Sequence, residues 1–225
     1  MSDDRKLTGK VAMVFGGSRG IGAAAARRLA REGANVGLTY VSAPDKAADT
    51  VRAIEEEGRT GFAIKADSAD PTAIRDAVTQ AVAQLGRLDI VVVNAGILRR
   101  GDLQAVSLQE LDLMLNVNVR GVFLAIQAAA AHLSEGGRVI TIGSNTAVRS
   151  SYPGSSVYAM TKAAVAVMVK EIAVDLAPRG ITLTNIQPGP TLTDMTASHI
   201  DSLTPAIPTR LPVSSPTWRA RSPAT

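Results

Sequence analysis

The stretch KVAMVFGGSRGIG, residues 10–22, decides the fold. Residues 10–15 form a short apolar run, which predicts a buried strand. A glycine-rich turn follows and leads into a helix predicted over residues 21–32, with Gly33 just past its end. Glycine permits a sharp turn and lets a ligand approach the backbone, while the amino end of a helix favours anions. This order of strand, loop and helix therefore indicates a binding site for the pyrophosphate of a dinucleotide.

The same alternation of apolar runs and helical patterns continues along the chain. Strands are predicted at residues 10–15, 35–40, 60–65, 90–93, 138–142 and 181–186. Helices are predicted at residues 21–32, 44–57, 70–85, from the capping box at 107–110, at about 118–133 and at 157–177. The strands are short, apolar and rarely alternating, which is typical of strands covered on both faces. The sequence therefore predicts an α/β fold, a three-layer, Rossmann-type, doubly wound parallel sheet with six strands.

Composition excludes several functional classes. The chain has 225 residues, which suggests one domain, and no cysteine, which excludes disulfides, thiolate metal sites and cysteine nucleophiles. The two histidines, His132 and His199, stand far apart, so we expect no metal site. With a net charge of only +4, scattered basic residues and 3% aromatic residues, we expect no nucleic-acid partner.

The sequence also carries no strong membrane signal. The start, MSDDRK, is polar, and no secretory-type apolar segment follows it. The uncharged apolar run near residues 163–169 is too short to cross a bilayer. We therefore expect a soluble, cytoplasmic protein without a membrane partner.

The residues after the second strand bear on the choice of dinucleotide. A carboxylate there would bind the ribose hydroxyls of NAD, but Tyr40 is followed by Val41 and Ser42, with no carboxylate before Asp45. A 2′-phosphate would meet no repulsion, and Arg19 in the glycine loop could form paired hydrogen bonds with it. Ser42 could donate another. These residues favour NADP(H) over NAD(H), although Arg19 taken alone also fits a solvated surface charge.

A second motif lies in GSNTAVRSSYPGSSVYAMTKAAV, residues 143–165. Tyr158 and Lys162 are four residues apart and share one helix face if the helix begins by about Val157. A tyrosine has a pKa of about 10, and a nearby ammonium group can lower it by ~1–3 units, making the phenol a usable acid and base. Ser144 follows the fifth strand and could polarise a substrate oxygen. Taken alone, each of these residues also fits a purely structural role, on a helix surface or in a turn.

In their order and spacing, these motifs resemble the short-chain dehydrogenase/reductase family, and most closely its 3-oxoacyl-carrier-protein reductase-like members. The resemblance covers about residues 7–195, although Phe15 and Val93 replace a threonine and an asparagine usual in the family. It implies an NADP-dependent oxidoreductase that acts on CH–OH groups and moves a hydride between NADP(H) and a small-molecule carbonyl or alcohol substrate. It also implies a homo-oligomer.

The resemblance assigns site residues. The implied catalytic residues are Asn118, Ser144, Tyr158 and Lys162, with Asn118 holding a water and Lys162 also reaching the nicotinamide ribose. Asp67 and Ser68 match the family's adenine contact, and residues 188–193 match the segment that flanks the nicotinamide. The full implied cofactor set is Gly16, Ser18, Arg19, Gly20, Ile21, Gly22, Ser42, Asp67, Ser68, Asn94, Ala95, Gly96, Tyr158, Lys162, Pro188, Gly189, Thr191 and Thr193.

The end of the chain departs from the family. Small helices, a further helix and a seventh strand normally follow the nicotinamide segment, but they are not recognisable after Met195. From Ala197 the sequence is proline-rich, with prolines at 205, 208, 212, 216 and 223, which a regular helix excludes. We therefore expect a dinucleotide-binding and catalytic domain over residues 1–196 and an irregular tail over 197–225. Two alternatives stay open: a nucleotide-binding module with impaired or no catalysis, and an unstable product without activity.

Overall fold

The computed structural model describes residues 5–149 and 153–197. These residues form a six-stranded parallel sheet with strand order β3-β2-β1-β4-β5-β6. The strands are β1 Val11–Phe15, β2 Asn35–Tyr40, β3 Gly61–Lys65, β4 Leu88–Val93, β5 Leu133–Ile142 and β6 Thr182–Ile186. The helices are α1 Gly20–Arg31, α2 Pro44–Glu55, α3 Pro71–Leu85, α4 Leu108–Leu115, α5 Gly121–Ala130 and α6 Ser156–Leu176. The predicted six-stranded, doubly wound α/β fold is confirmed.

Helices cover both faces of the sheet. Along β1, Val11, Met13 and Phe15 face one way and pack with residues of α3, α5 and α6. Ala12 and Val14 face the other way and pack with residues of α1 and α2. Both sets are almost fully buried, so neither face of this strand can carry polar side chains. This explains why the strands do not alternate between apolar and polar residues.

Local signals set the ends of two helices. The Asp70 carboxylate accepts hydrogen bonds from the backbone N–H groups of Thr72 and Ala73, at 2.8 and 3.3 Å, and Pro71 opens α3. The helix ends at Gly86, whose φ of +77° lies in the left-handed region that glycine tolerates. Ser107 caps α4 by accepting from the N–H of Glu110 at 3.2 Å. These boundaries agree with the sequence prediction.

The middle of the chain differs from the prediction. The helices predicted from residue 107 and from about residue 118 are continuous, because a π-helical turn, Asn116–Arg120, joins α4 to α5. Helix α5 also ends at Ala130 instead of residue 133. Leu133 is buried and pairs with Leu88, so β5 begins there, before the register shift that precedes Arg138. The prediction placed the end of the helix at residue 133 because the alanine-rich pattern continues past Ala130.

The joined helix, Leu108–Ala130, is 23 residues long and apolar enough to cross a membrane by length and composition alone. It is longer than the apolar run at residues 163–169, because the π-helical turn joins two helices that the sequence predicted separately. Its Val122, Ala125, Ile126 and Ala129 are buried in the core that includes residues of α3. The helix therefore serves as a core helix of this fold.

Among the described strands, β6 forms one edge of the sheet. Within the described part of the chain it pairs with β5 alone, and Thr182, Thr184 and Ile186 are exposed. The predicted tail, residues 197–225, lies outside the described residues except for Ala197, as does His199. The proposed division of the chain at residue 196 stays a prediction.

Candidate active site

The strand order places a cleft at the carboxyl ends of the strands. It reverses direction at β1, with β2 on one side and β4 on the other, and such a switch point is where open α/β sheets bind ligands. A cleft of about 870 Å³ opens there. Every residue predicted for the site lines it except Gly22 and Asn118, which are buried behind its wall. Segments far apart in the sequence therefore meet around one cavity.

The glycine loop leaves no room for side chains at three of its positions, Gly16, Gly17 and Gly22. Gly16 has a φ of +74°, and a Cβ there would lie 2.9 Å from the Cα of Ala95. A Cβ on Gly22 would collide with the carbonyl oxygen of Gly16, which accepts a hydrogen bond from Asn94 Nδ2 at 2.8 Å. Helix α1 begins directly after this turn, without an acidic residue in its first turn. The loop thus offers the backbone amides of a helix amino end to an anion, which fits a pyrophosphate.

The far end of the cleft is lined by residues of the glycine loop and of the turns after β2 and β3. Arg19 and Ser42 line it, whereas Asp45 does not. Asp67 follows β3, and its Oδ1 accepts from the N–H of Ala69 at 2.8 Å, which shapes the turn that carries Ser68. Asp194 also lines the cleft and forms ion pairs with Arg19 and Lys46, which the sequence analysis missed.

Ser144, Tyr158 and Lys162 meet at the other end of the cleft. Tyr158 and Lys162 lie one turn apart on α6, and Lys162 Nζ is 5.7 Å from the centroid of the Tyr158 ring. Lys162 Nζ donates to the carbonyl oxygen of Ile142 at 2.8 Å, at the end of β5. Ser144 lies two residues after the end of β5 and forms a side-chain hydrogen bond with Tyr158. A hydroxyl pair and an ammonium group therefore share one corner.

The pKa values in this corner correct the expectation from the sequence. Burial raises the pKa of Tyr158 above its ordinary value, and the hydrogen bond with Ser144 offsets this only in part. Burial lowers the pKa of Lys162 to about 8. The sequence predicted that Lys162 would lower the pKa of Tyr158. Loss of water around both groups dominates instead, because desolvation disfavours the charged form of each.

Asn118 lies in the π-helical turn and is fully buried. Its Oδ1 accepts from the N–H of Ile97 at 2.8 Å, and its Nδ2 donates to the Ile97 carbonyl at 2.9 Å and to Thr161 Oγ1 at 3.2 Å. The carboxamide thereby ties the segment after β4 to α6, next to Lys162. The sequence singled out Asn118, but these partners depend on the tertiary fold.

Further residues line the cleft that the sequence analysis did not identify. Arg99 and Arg100 lie in the loop after β4, and Asn145 and Thr146 follow Ser144. Loop arginines carry no periodic or motif signal, so the sequence offered no means of finding them. Among residues 5–149 and 153–197, no group of three or more His, Cys, Asp or Glu side chains is placed to hold a metal ion.

The parallel sheet with its switch-point cleft and glycine turn defines an open α/β protein of the Rossmann type. The short chain dehydrogenase family model matches residues 10–203, and the chain belongs to that family. Members of the family are oxidoreductases, and hydride transfer is their general chemistry. The predicted family is confirmed.

Individual relatives agree with this assignment. Versicolorin reductase 1 of Aspergillus parasiticus is 40% identical over 195 residues, which are 87% of this chain and 74% of that protein. A short chain dehydrogenase from Burkholderia cenocepacia J2315 in complex with NADP has a TM-score of 0.86 and 48% identity, covering 89% of this chain and 83% of that chain. A blue fluorescent protein from a metagenomic library in complex with NADPH has a TM-score of 0.81 and 50% identity, covering 84% and 77%.

Proposed function

We propose that this protein is an NADP(H)-dependent oxidoreductase that interconverts a carbonyl and a CH–OH group on a small-molecule substrate, with Tyr158 as the acid and base. The observation that carries the proposal is the grouping of Ser144, Tyr158 and Lys162 in the same cleft as the glycine loop. When bound, the nicotinamide supplies or accepts the hydride, which no side chain can do.

The cofactor would lie along the cleft. The glycine loop and the amino end of α1 would hold its pyrophosphate, Asp67 and Ser68 its adenine, and Arg19 and Ser42 its 2′-phosphate. Asn94, Ala95 and Gly96 and the segment at residues 188–193 would line its nicotinamide side. The preference for NADP(H) over NAD(H) is supported by the absence of a carboxylate directly after β2 and by the NADP and NADPH bound in two related structures.

The proton would pass through Tyr158. Burial keeps the phenol protonated at neutral pH because it raises the pKa, so the hydroxyl is ready to donate to a substrate oxygen. Ser144 would hold the same oxygen, since its hydroxyl already bonds to Tyr158. The ammonium group of Lys162 would stabilise the phenolate left behind, and in the reverse direction it would help to form the phenolate that accepts the proton of the alcohol.

Asn118 would act as a positioning residue through its side chain. Its carboxamide forms three hydrogen bonds, two with the backbone of Ile97 and one with Thr161. It would therefore fix the loop after β4 against α6 and keep Lys162 in place. The water-holding role implied by the family resemblance stays a prediction.

A homo-oligomer is proposed by family analogy. Exposed apolar side chains on two helices, Phe123 on α5 and Val167 and Val174 on α6, support it because association would remove them from water. A cytoplasmic location stays a prediction from the sequence.

The proposal is tested with Tyr158→Phe and Ser144→Ala. We expect Tyr158→Phe to lower the rate of NADPH oxidation with a panel of ketones and β-ketoacyl thioesters by at least ~100-fold. NADPH binding, followed by the change in its fluorescence, should stay within a factor of about two. Turnover by Tyr158→Phe at the wild-type rate would refute the role of Tyr158.

A second function, nucleotide binding without turnover, is favoured by one observation. Strand β6 has no second neighbouring strand in the described part of the chain, whereas the family usually places a seventh strand there. NADPH binding without oxidation of any substrate on the panel would support this function. Both functions fail if NADPH neither changes its fluorescence nor raises the melting temperature.

A further inference from the structure

The loop of residues 96–101, here called the arginine loop, is anchored at both ends. At its start, a Cβ on Gly96 would lie 3.5 Å from Lys162 Nζ. The next residue, Ile97, forms hydrogen bonds with the Asn118 side chain through both its N–H and its carbonyl oxygen. At its end, the N–H of Gly101 donates to the carbonyl oxygen of Gly154 at 3.1 Å, just before α6 begins. The loop therefore runs beside the end of α6 that carries Tyr158.

Between these anchors lie Arg99 and Arg100, and both line the cleft. Arg99 is exposed, and its Nη1 donates to the carbonyl of the preceding residue, Leu98, at 3.2 Å. That bond occupies one of the five N–H donors of a guanidinium group. Most of the hydrogen-bonding capacity of Arg99 is thus directed to solvent at the mouth of the cleft.

The charge in the cleft is divided between its ends. Two carboxylates, Asp67 and Asp194, occur among the described lining residues. Asp67 follows β3, and Asp194 pairs with Lys46 of α2 and with Arg19, so both belong to the adenosine end. The described lining near Tyr158 carries two guanidinium groups and no carboxylate.

We infer that the substrate carries an anionic oxygen group, a carboxylate or a phosphate, beside its reacting carbonyl, and that Arg99 and Arg100 bind it. A planar guanidinium group matches either anion with paired, charge-assisted hydrogen bonds. Anchoring the loop lowers the entropy lost on binding, because its backbone is already ordered. The inference deepens the proposed function and rests on it only for the location of the reacting carbonyl.

The test measures binding and does not require turnover. Isothermal titration of the protein saturated with NADP⁺ compares three probes that share one ring system: 2-naphthoate, 2-naphthyl phosphate and the neutral 2-naphthamide. We expect at least one anion to bind at least about tenfold more tightly than the amide. The two anions distinguish a carboxylate site from a phosphate site. The preference should shrink as salt is raised, since the guanidinium of Arg99 is exposed.

Variants locate the site. Arg99→Gln and the double variant Arg99→Gln/Arg100→Gln should reduce the preference to less than about twofold, while Arg75→Gln on the outer surface of α3 should keep it. The melting temperature of each variant shows whether it is folded, and Arg99→Gln alone suffices if the double variant unfolds. Equal binding of all three probes to the wild type, including no measurable binding of any, would overturn the inference. So would a preference that survives in a folded Arg99→Gln variant.

This test and that of the proposed function fail separately. An anion preference without NADPH oxidation would leave the arginine site in place and remove the proposed enzymatic activity. Oxidation of neutral ketones without an anion preference would do the reverse.

Discussion

The carboxylate of Asp194, which lines the cleft, lies 2.5 Å from the ammonium nitrogen of Lys46 on α2. The same oxygen is 3.9 Å from Arg19 Nη1. The hydrogen bond from Lys46 and the charges of Lys46 and Arg19 hold the pKa of Asp194 below its usual range, so the carboxylate is charged at neutral pH. A side chain of the segment that follows β6 therefore reaches Arg19, the cation proposed for the 2′-phosphate, and a second cation, Lys46.

This ion pair predicts how Asp194→Asn changes cofactor choice. Removing the carboxylate leaves the charges of Arg19 and Lys46 available to the 2′-phosphate. Because water and salt screen exposed ion pairs, each contributes little, and we expect the ratio of NADPH to NADH affinity to rise by about fivefold or less. Fluorescence titration with both cofactors measures the ratio. Lys46→Gln should lower it, and a lower ratio in Asp194→Asn would contradict the prediction.

The glycine loop predicts a steric effect of Gly22→Ala. The new methyl group would collide with the Gly16 carbonyl and the Asn94 amide, so the turn must move. Overpacking of this kind costs ~1–3 kcal/mol, and we expect a lower melting temperature together with at least tenfold weaker NADPH binding. Ala24→Ser, at an exposed position of the same helix, is the control. If Gly22→Ala keeps the wild-type melting temperature and NADPH affinity, the loop has space for a methyl group and the steric prediction is wrong.

Asp89 predicts acid-sensitive stability. It is buried at the start of β4 and bonds to Arg87 Nη2 at 2.6 Å, to the N–H of Val11 at 3.0 Å and to Lys10 Nζ at 3.4 Å. Burial by itself would raise the pKa of Asp89, but the hydrogen bonds and the two cations outweigh it and hold the pKa below the ordinary value. The carboxylate therefore stabilises the fold above the pKa of the unfolded state, about 3.9, and loses that contribution as the pH falls through the lower folded-state pKa.

Asp89→Asn tests this dependence. At pH 7 we expect the free energy of unfolding to fall by ~2 kcal/mol, because a charged acceptor of three donors is lost. The difference from the wild type should shrink as the pH falls below about 4. Urea denaturation across pH 3–7 gives both values, with the exposed Asp76→Asn of α3 as the control. A deficit that stays constant down to pH 3 would contradict the assignment.

Lys162 predicts a second pH-dependent contribution to stability, at alkaline pH. Burial lowers its pKa from 10.5 to about 8, so between these values the unfolded state binds more protons than the folded state. Stability should therefore rise with pH through this window, and below pH 8 the buried ammonium group costs stability. We expect the wild type to gain stability between pH 8 and pH 10 relative to Lys162→Met, by urea denaturation. The exposed Lys170→Met on the same helix should follow the wild type, and parallel curves for Lys162→Met and the wild type would count against the burial effect.

Sequence signals succeeded where the physical cause is local. Asp70 before Pro71, the capping box at Ser107 and the glycine turn ending in Gly22 each act within a few residues. The alternation of short apolar runs with helices gave the parallel sheet, since parallel strands need crossover connections. The pairing of Tyr158 with Lys162 on one face followed from the helical repeat alone.

Other features depended on contacts between distant segments. The π turn that joins α4 to α5, and the early start of β5 at Leu133, arise from packing and pairing that no local pattern encodes. The bonds from Asn118 to Ile97 and the approach of Asp194 to Lys46 join residues 21 and 148 positions apart. Arg99 lines the cleft only because its loop is anchored beside α6 in the tertiary structure.

The sequence by itself determined which elements form and which residues carry the nucleotide and Tyr–Lys motifs, because backbone conformation, capping and helical spacing are short-range properties. The tertiary structure alone decided how water is excluded around those residues. The pKa of Tyr158 rises where the sequence predicted a fall, since desolvation is set by everything that packs around a group and not by its neighbours along the chain.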